Sequence, residues 1–493
     1  MKVMSPFILV IFGATGDLAQ HKLLPALYSL YKEKQLGDTF YIVGFARRPL
    51  TDQEYSHMLG DELEVHKEEE WADFAKNIYY QQGNFDESDG YEALIKKLNG
   101  FDQKLGACIL RLFYLATPPD HYENILKHLK ETKLSEGCGP AFVKATAGEE
   151  VIARGKWTRL AIEKPFGKDL DTARELDKRL CEIFEEQQIY RVDHYLAKET
   201  VQNMIAFRFA NSIFEPVWNA EHIDNVQITF AEKKGIGRRG KFFDGVGTLR
   251  DVAQNHLLQL LAAVAMEQPK SFTRESIRDA RANAIKAIRK ILPTDVSHFI
   301  MRGQYKGYLE EKDVDPHSQT DTYVAMKLFV DTDRFSGVPF YLRAGKAMEK
   351  DLVEIKIIFK QTCHLLFKEY GCPEIGNVLT IHIQPNEGIG MRVIAKTPGQ
   401  TLSLSTVEMK FSYAEEFKNR KIDAYEKLLL DIITGDQMLF NRSDELDSSW
   451  ELISGILKGW SLSDNFVGTY DVGASGPEEA KLLLEKDGKM WLD

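Results

Sequence analysis

Phe7-Ile-Leu-Val-Ile-Phe12 is an unbroken apolar run closed by a glycine, the pattern of a strand buried on both faces of a parallel sheet. Past Gly13 the apolar positions change to helical spacing, with Leu23, Leu27, Leu30 and Tyr31 on one side. Pro25 lies inside this stretch, so the helix either begins near it or kinks there. Further core strands are expected at residues 40–45, 111–116 and 159–162, with helical patterns between them. Strands alternating with helices over the first ~190 residues predict a doubly wound, Rossmann-like α/β domain.

The pattern changes after Glu199. Short runs with period-two alternation are expected to form strands at residues 225–232, 322–330, 353–360, 378–384, 391–396 and 402–411. Helical patterns flank them at 248–266, 274–291, 424–435 and 449–459. This predicts an α+β domain built on a large, mostly antiparallel sheet. The expected division is residues 1–195 and 196–493. A cleft at such a boundary is where a ligand would bind.

The 493 residues are ample for two or three domains and a self-sufficient core. A net charge of −11 argues against nucleic acid or an anionic membrane as partner. Any anion must therefore meet a local basic cluster. No apolar run approaches the ~20 residues of a membrane span, and the one at residues 7–12 is too short for a signal segment. The five cysteines, Cys108, Cys138, Cys181, Cys363 and Cys372, show no CxxC or zinc spacing. They are expected to be reduced thiols in a cytoplasmic protein. The 12 histidines show no ligand spacing either, so no metal site is expected.

Chemistry concentrates in three places. GATGDLA (residues 13–19) follows the first buried strand and opens a helix, the setting that confirms a dinucleotide fingerprint. Gly13 permits a tight turn, Gly16 lets the backbone approach a phosphate, and Ala19 lets helix meet strand. The second strand ends in Arg47 and Arg48 and not in the carboxylate that would hold an NAD ribose. Cations there suit the 2′-phosphate of NADP, to which Thr15 could add a hydrogen bond. The second place is RVDHYLAKE (191–199), with two acids, an imidazole, a phenol and two cations in nine positions. Structural ion-pair networks give a similar pattern. If a helix begins there, Lys198 falls one turn after His194 on the same face. The third is RDVAQNH (250–256). His256 sits in the apolar stripe of its helix, where a histidine is more often a packed residue than a base. At ~100° per residue Asp251 lies ~140° away, better placed to meet a ligand than to orient the imidazole. A histidine base needs an acceptor on its second ring nitrogen, and Asp193 is the candidate.

GATGDLA, EKPFG (163–167), RVDHYLAKE and RDVAQNH, in this order and spacing, resemble the glucose-6-phosphate dehydrogenase family essentially end to end. The resemblance implies oxidation of D-glucose 6-phosphate at C1 to 6-phospho-D-glucono-1,5-lactone, with hydride transfer to NADP, the first step of the pentose phosphate pathway. Arginines that accept a phosphate need not reject its absence, so NAD stays open beside NADP. His256 matches the general base and Asp193 its partner. His194, Tyr195 and Lys198 match the substrate-phosphate pocket. Lys164 matches the lysine between sugar and cofactor. Glu232 and Asp251 match acceptors for sugar hydroxyls, and Lys346 a further substrate-binding lysine. Gly13, Ala14, Thr15, Gly16, Asp17, Leu18, Ala19, Arg47 and Tyr122 match cofactor contacts. The family forms homodimers and homotetramers.

Three positions depart from the family pattern. Ala197 stands where glycine is usual. Asp351 stands where a second cation is frequent, five residues after Lys346, with Lys350 beside it. Gln20 replaces a frequent Lys or Arg, leaving part of the cofactor charge to Arg48. The rival readings are another two-domain NAD(P) sugar oxidoreductase, which would lack the phosphate pocket, and a catalytically dead nucleotide sensor, which would break the Asp193 and His256 pair.

Overall fold

A computed structural model describes residues 4–65, 68–137, 158–417, 422–462 and 467–492. The chain forms two compact units, Met1–Gly167 with Asp171–Ala197 and Lys421–Ser443, and Lys168–Leu170 with Lys198–Arg420 and Asp444–Asp493. A single boundary at 195/196 does not describe this return of the chain.

The first unit is built on a seven-stranded sheet in the order β15-β6-β5-β4-β1-β2-β3. Its strands are β1 (Phe7–Phe12), β2 (Phe40–Ala46), β3 (Ile78–Gln82), β4 (Leu110–Leu115), β5 (Thr158–Glu163), β6 (Ile189–Val192) and β15 (Phe440–Asn441). All pair in parallel except β15, which runs antiparallel to β6 with Phe440 opposite Val192. Every residue of β1 and β4 is buried, as continuous apolar runs require of a sheet covered on both faces. The helix after the glycine turn runs unbroken from Asp17 to Lys32, π-wound over Ala19–Leu23 and α-helical from Leu24, so Pro25, which has no amide to donate, lies inside it where the wide winding gives way to the α-helix.

β15 explains why Lys421–Ser443 joins this unit. The Ala424–Thr434 helix ahead of it packs on the Leu24–Lys32 helix. Its last carbonyls, on Ile432 and Ile433, accept hydrogen bonds from Arg159 on β5 at 2.6 and 2.7 Å. Gln437 then donates to the Glu186 and Ile189 carbonyls at 3.0 and 2.8 Å.

Among the described residues the second unit carries nine strands in the order β14-β13-β12-β11-β7-β10-β9-β8-β16. They are β7 (Ile223–Ala231), β8 (Ile300–Tyr305), β9 (Tyr323–Phe329), β10 (Pro339–Gly345), β11 (Leu352–Phe359), β12 (Val378–Gln384), β13 (Gly388–Lys396), β14 (Leu404–Ser412) and β16 (Gly468–Tyr470). Two pairs, β7–β10 and β8–β16, are parallel and the others antiparallel. Both domain types therefore match those expected from the chain's periodicity.

The cysteines do not. Cys363 and Cys372 form a disulfide, with Cα atoms 6.0 Å apart. Gly371, at φ +83°, turns the loop between β11 and β12 back on itself and brings the two within bonding reach. Cys108 is disulfide-bonded too, Cys181 is free and exposed, and Cys138 lies outside the described residues.

Candidate active site

In the first unit, β1 delivers the chain into the glycine turn. Gly13 has φ +84°, and a Cβ there would run into the Ala116 carbonyl oxygen, so only glycine fits. Its amide donates to the Phe45 carbonyl at 2.9 Å, while the Gly16 amide closes back on the Gly13 carbonyl at 2.9 Å. Ala14 and Ala19 are fully buried, whereas Thr15, Gly16 and Leu18 are half-buried and Asp17 is exposed. Gln20 donates to the Thr15 carbonyl at 2.7 Å, so it braces the turn itself. Tyr55 adds a second brace, its hydroxyl donating to the Ala14 carbonyl at 3.2 Å. Nothing in the spacing of residues 13–19 points to this brace, because Tyr55 enters from the separate Asp52–Glu62 helix. Arg47 and Arg48 are exposed just past β2.

β5 ends at Glu163, ahead of the half-buried Lys164. Tyr122 is buried, and its hydroxyl donates to the Glu163 carbonyl at 2.9 Å, so it holds the EKPFG turn. Tyr114 and Tyr425 donate to the Glu163 carboxylate at 2.6 and 3.3 Å. Burial pushes this carboxyl up to about 7, against the pull of the two phenols and Lys164; Asp193 adds to the rise.

β6 leads directly into RVDHYLAKE. Arg191 is buried in ion pairs with Asp177 at 2.5 Å and Glu186 at 2.8 Å, so it is structural. Asp193 is 1% exposed and accepts the Tyr195 amide on Oδ1 at 3.0 Å, while its carbonyl takes the Leu196 amide at 3.1 Å. These bonds hold residues 193–197 as a turn, and the helix starts only at Glu199. The expected helical face joining His194 to Lys198 therefore does not exist. His194 is flanked by the rings of Tyr195, at 4.7 Å, and Tyr425, at 6.2 Å. Ala197 is buried without a positive φ, so its methyl brings no backbone strain.

In the second unit, Lys198 precedes the Glu199–Ala210 helix, half-exposed. The predicted 248–266 helix is π-wound over Leu249–Leu257 and becomes α-helical over Leu258–Ala265. With hydrogen bonds reaching five residues and not four, the winding is slower, so Asp251 and His256 lie closer in angle than the expected 140°. Asn255 supports the wide turn: its amide donates to the Asp251 carbonyl at 3.1 Å and its oxygen accepts the His256 N–H at 2.6 Å. His256 is 2% exposed, stacked on Phe230 of β7 with ring planes 10° apart.

Lys346 follows β10 and is 2% exposed. Its ammonium is paired with both Glu232 and Asp251 Oδ2, the latter at 3.1 Å. The two predicted hydroxyl acceptors and the predicted lysine are thus assembled into one group, of which Asp251 stands on the helix that carries His256. Asp351 accepts the Lys233 amide at 2.8 Å, so it orders the segment after Glu232.

The family profile described as "Glucose-6-phosphate dehydrogenase, NAD binding domain" matches residues 10–203, and the "Glucose-6-phosphate dehydrogenase, C-terminal domain" profile matches residues 205–492. The chain is 42% identical to glucose-6-phosphate 1-dehydrogenase of Chlamydia muridarum, over 99% of this chain and 96% of the relative. It is 40% identical to that of Borreliella burgdorferi, over 98% of each. Among solved structures, a glucose-6-phosphate dehydrogenase in complex with its substrate glucose 6-phosphate superposes with TM-score 0.88 at 35% identity, covering 100% of both chains. The enzyme from Mycobacterium avium gives TM-score 0.84 at 32% identity, over 99% of each.

Proposed function

The chain belongs to the glucose-6-phosphate dehydrogenase family, and from that premise we propose how its own residues perform the reaction. The enzyme oxidises glucose 6-phosphate by hydride transfer to a nicotinamide dinucleotide, giving the lactone. The dinucleotide, when bound, supplies the hydride acceptor. The turn at Gly13–Ala19 fits it: a Cβ at Gly13 is excluded, and backbone there is open to a phosphate. Arg47 and Arg48 support NADP as the preferred form, with NAD as a second one, because no carboxylate follows β2 to hold a bare ribose. Tyr122 contributes by holding the Glu163 backbone beside Lys164.

His256 takes the proton from the C1 hydroxyl, and Asp193 stabilises the imidazolium that results. His194, Tyr195 and Lys198 hold the phosphate. Lys164 lies between sugar and cofactor. Glu232 and Asp251 accept sugar hydroxyls, with Lys346 as donor. On this reading residues 1–195 carry the cofactor turn, Lys164, His194 and Tyr195, and 196–493 the base and the other substrate contacts. The observation that carries this reading is the Lys346 group. A buried ammonium between two carboxylates leaves acceptor lone pairs arranged for hydroxyls, one turn from the buried imidazole.

A homodimer or homotetramer is supported by β14, an edge strand that exposes Val407 and Met409. Among the described residues no helix is long and apolar enough to cross a membrane. The substrate is an anion that an apolar bilayer core excludes, which supports an enzyme working where sugar phosphates are held, the cytoplasm. The test of the assignment is His256→Asn: turnover of glucose 6-phosphate should fall by about 10²–10⁴ while NADP still binds. Near-normal kcat in that variant would refute the base.

A further inference from the structure

Tyr425 lies some 230 residues beyond RVDHYLAKE, yet the fold places its ring beside His194. Its position is fixed locally. Asp423 accepts the Tyr425 amide at 2.9 Å, and Glu426 accepts the Asp423 amide at 3.1 Å, a reciprocal cap that sets the start of the Ala424–Thr434 helix. The phenol is buried, its hydroxyl donates to the Glu163 carboxylate at 3.3 Å, and its ring lies within 14° of the His194 plane with centroids 6.2 Å apart. Tyr114 holds the same carboxylate at 2.6 Å, so Glu163 is a fixed anchor.

We infer that Tyr425 is a positioning residue for His194, and through it a determinant of selectivity for the phosphorylated sugar, with Glu163 as its anchor. The inference rests on the reading of His194 as a phosphate ligand. An imidazole that donates to a phosphate must present one ring nitrogen in a fixed direction. Rotation about its Cβ–Cγ bond is the freedom to be removed, and a near-parallel neighbouring ring restricts that rotation. Tyr195, at 54° to the imidazole, bounds it at a second angle. The anchoring matters because Glu163 immediately precedes Lys164. One phenol therefore ties the turn that carries the sugar-side lysine to the turn that carries the phosphate-side histidine.

The test is the ratio of kcat/KM for glucose 6-phosphate to kcat/KM for glucose, measured with NADP in wild type, Tyr425→Leu, Tyr425→Phe and His194→Asn. Loss of an aromatic pair is worth roughly two- to tenfold, so the ratio should fall by that factor in Tyr425→Leu. It should fall less in Tyr425→Phe, which keeps the ring and loses the anchor. A merely structural role would lower both activities together and leave the ratio unchanged, which would overturn the inference. The ratio refers only to folded enzyme, and Tyr425→Phe carries the test alone should the leucine variant fail to fold. In that case an unchanged ratio overturns the inference equally. His194→Asn separates the two levels. If its ratio does not fall, the phosphate reading of His194 is wrong and the inference falls with it. If it falls while both Tyr425 variants keep the wild-type ratio, only the role of Tyr425 is refuted.

Discussion

The carboxylate of Asp321 accepts the backbone N–H of Leu249 at 2.7 Å, closing the start of the helix that holds Asp251, Asn255 and His256. The Asp321 carbonyl takes the Thr248 amide at 2.8 Å, and Gly247, at φ +75°, leaves the space that a Cβ would take from the carboxylate. Amides at a helix start have no partner within the helix, so one buried side chain fixes where the His256 helix begins.

Burial pushes the Asp321 carboxyl up to about 7, against the pull of the Leu249 amide. A carboxyl raised in the folded state binds more protons folded than unfolded. It therefore withdraws stability as pH rises from 3.8 to about 7, and the deficit is constant above that. Asp321→Asn keeps an acceptor without this titration. Relative to wild type, its melting temperature should be higher at pH 8 than at pH 5. An equal offset at the two pH values would mean that Asp321 is not titrating in this window.

Gly13→Ala should disable cofactor binding. The added methyl meets backbone, the Ala116 carbonyl, and the positive φ costs roughly 1–2 kcal/mol on its own. Saturating NADP should raise the melting temperature of the wild type, and this increment should nearly vanish in the variant. A full increment would show that the turn does not carry the dinucleotide.

Arg47→Ala tests the choice between cofactors. A hydrogen bond to a charged group is worth about 1.5–3 kcal/mol, so kcat/KM with NADP should fall roughly tenfold to a hundredfold. The value with NAD should change little, because no phosphate is there to lose. Equal losses with both cofactors would place the arginine's role elsewhere.

Much of this arrangement is legible in the chain. β1 could be read because six apolar residues end at a glycine, and His256 could be singled out because an imidazole interrupts an apolar stripe. β8 and β10 escaped, and each has a buried arginine inside. Arg302 on β8 lies over the Trp460 ring at 4.7 Å, and Arg343 on β10 lies over Trp491 at 4.4 Å while bonding Thr229. Those partners are far along the chain, so a buried arginine reads as a break in the pattern. Asp321 and Tyr425 were hidden in the same way, since each acts on a segment some 70 to 230 residues distant. The π turn was also hidden, because Asn255, which sustains it, fits an ordinary helix equally well in sequence.

Lys346 offers a way to separate a structural charge from a substrate contact. Its ammonium is buried, whereas its partners Glu232 and Asp251 are 34% and 11% exposed. Removing one side of a buried pair costs about 3–5 kcal/mol in general, and the partial exposure of Glu232 puts this case near the lower end. Lys346→Gln should therefore lower the melting temperature and raise KM for glucose 6-phosphate. Adding Glu232→Gln removes part of the unpaired charge, so the double variant should regain stability. It should not regain affinity, because the donor and one acceptor for the sugar hydroxyls are both changed. Were the double variant to recover wild-type KM along with its stability, the group would be a fold element and not a sugar contact.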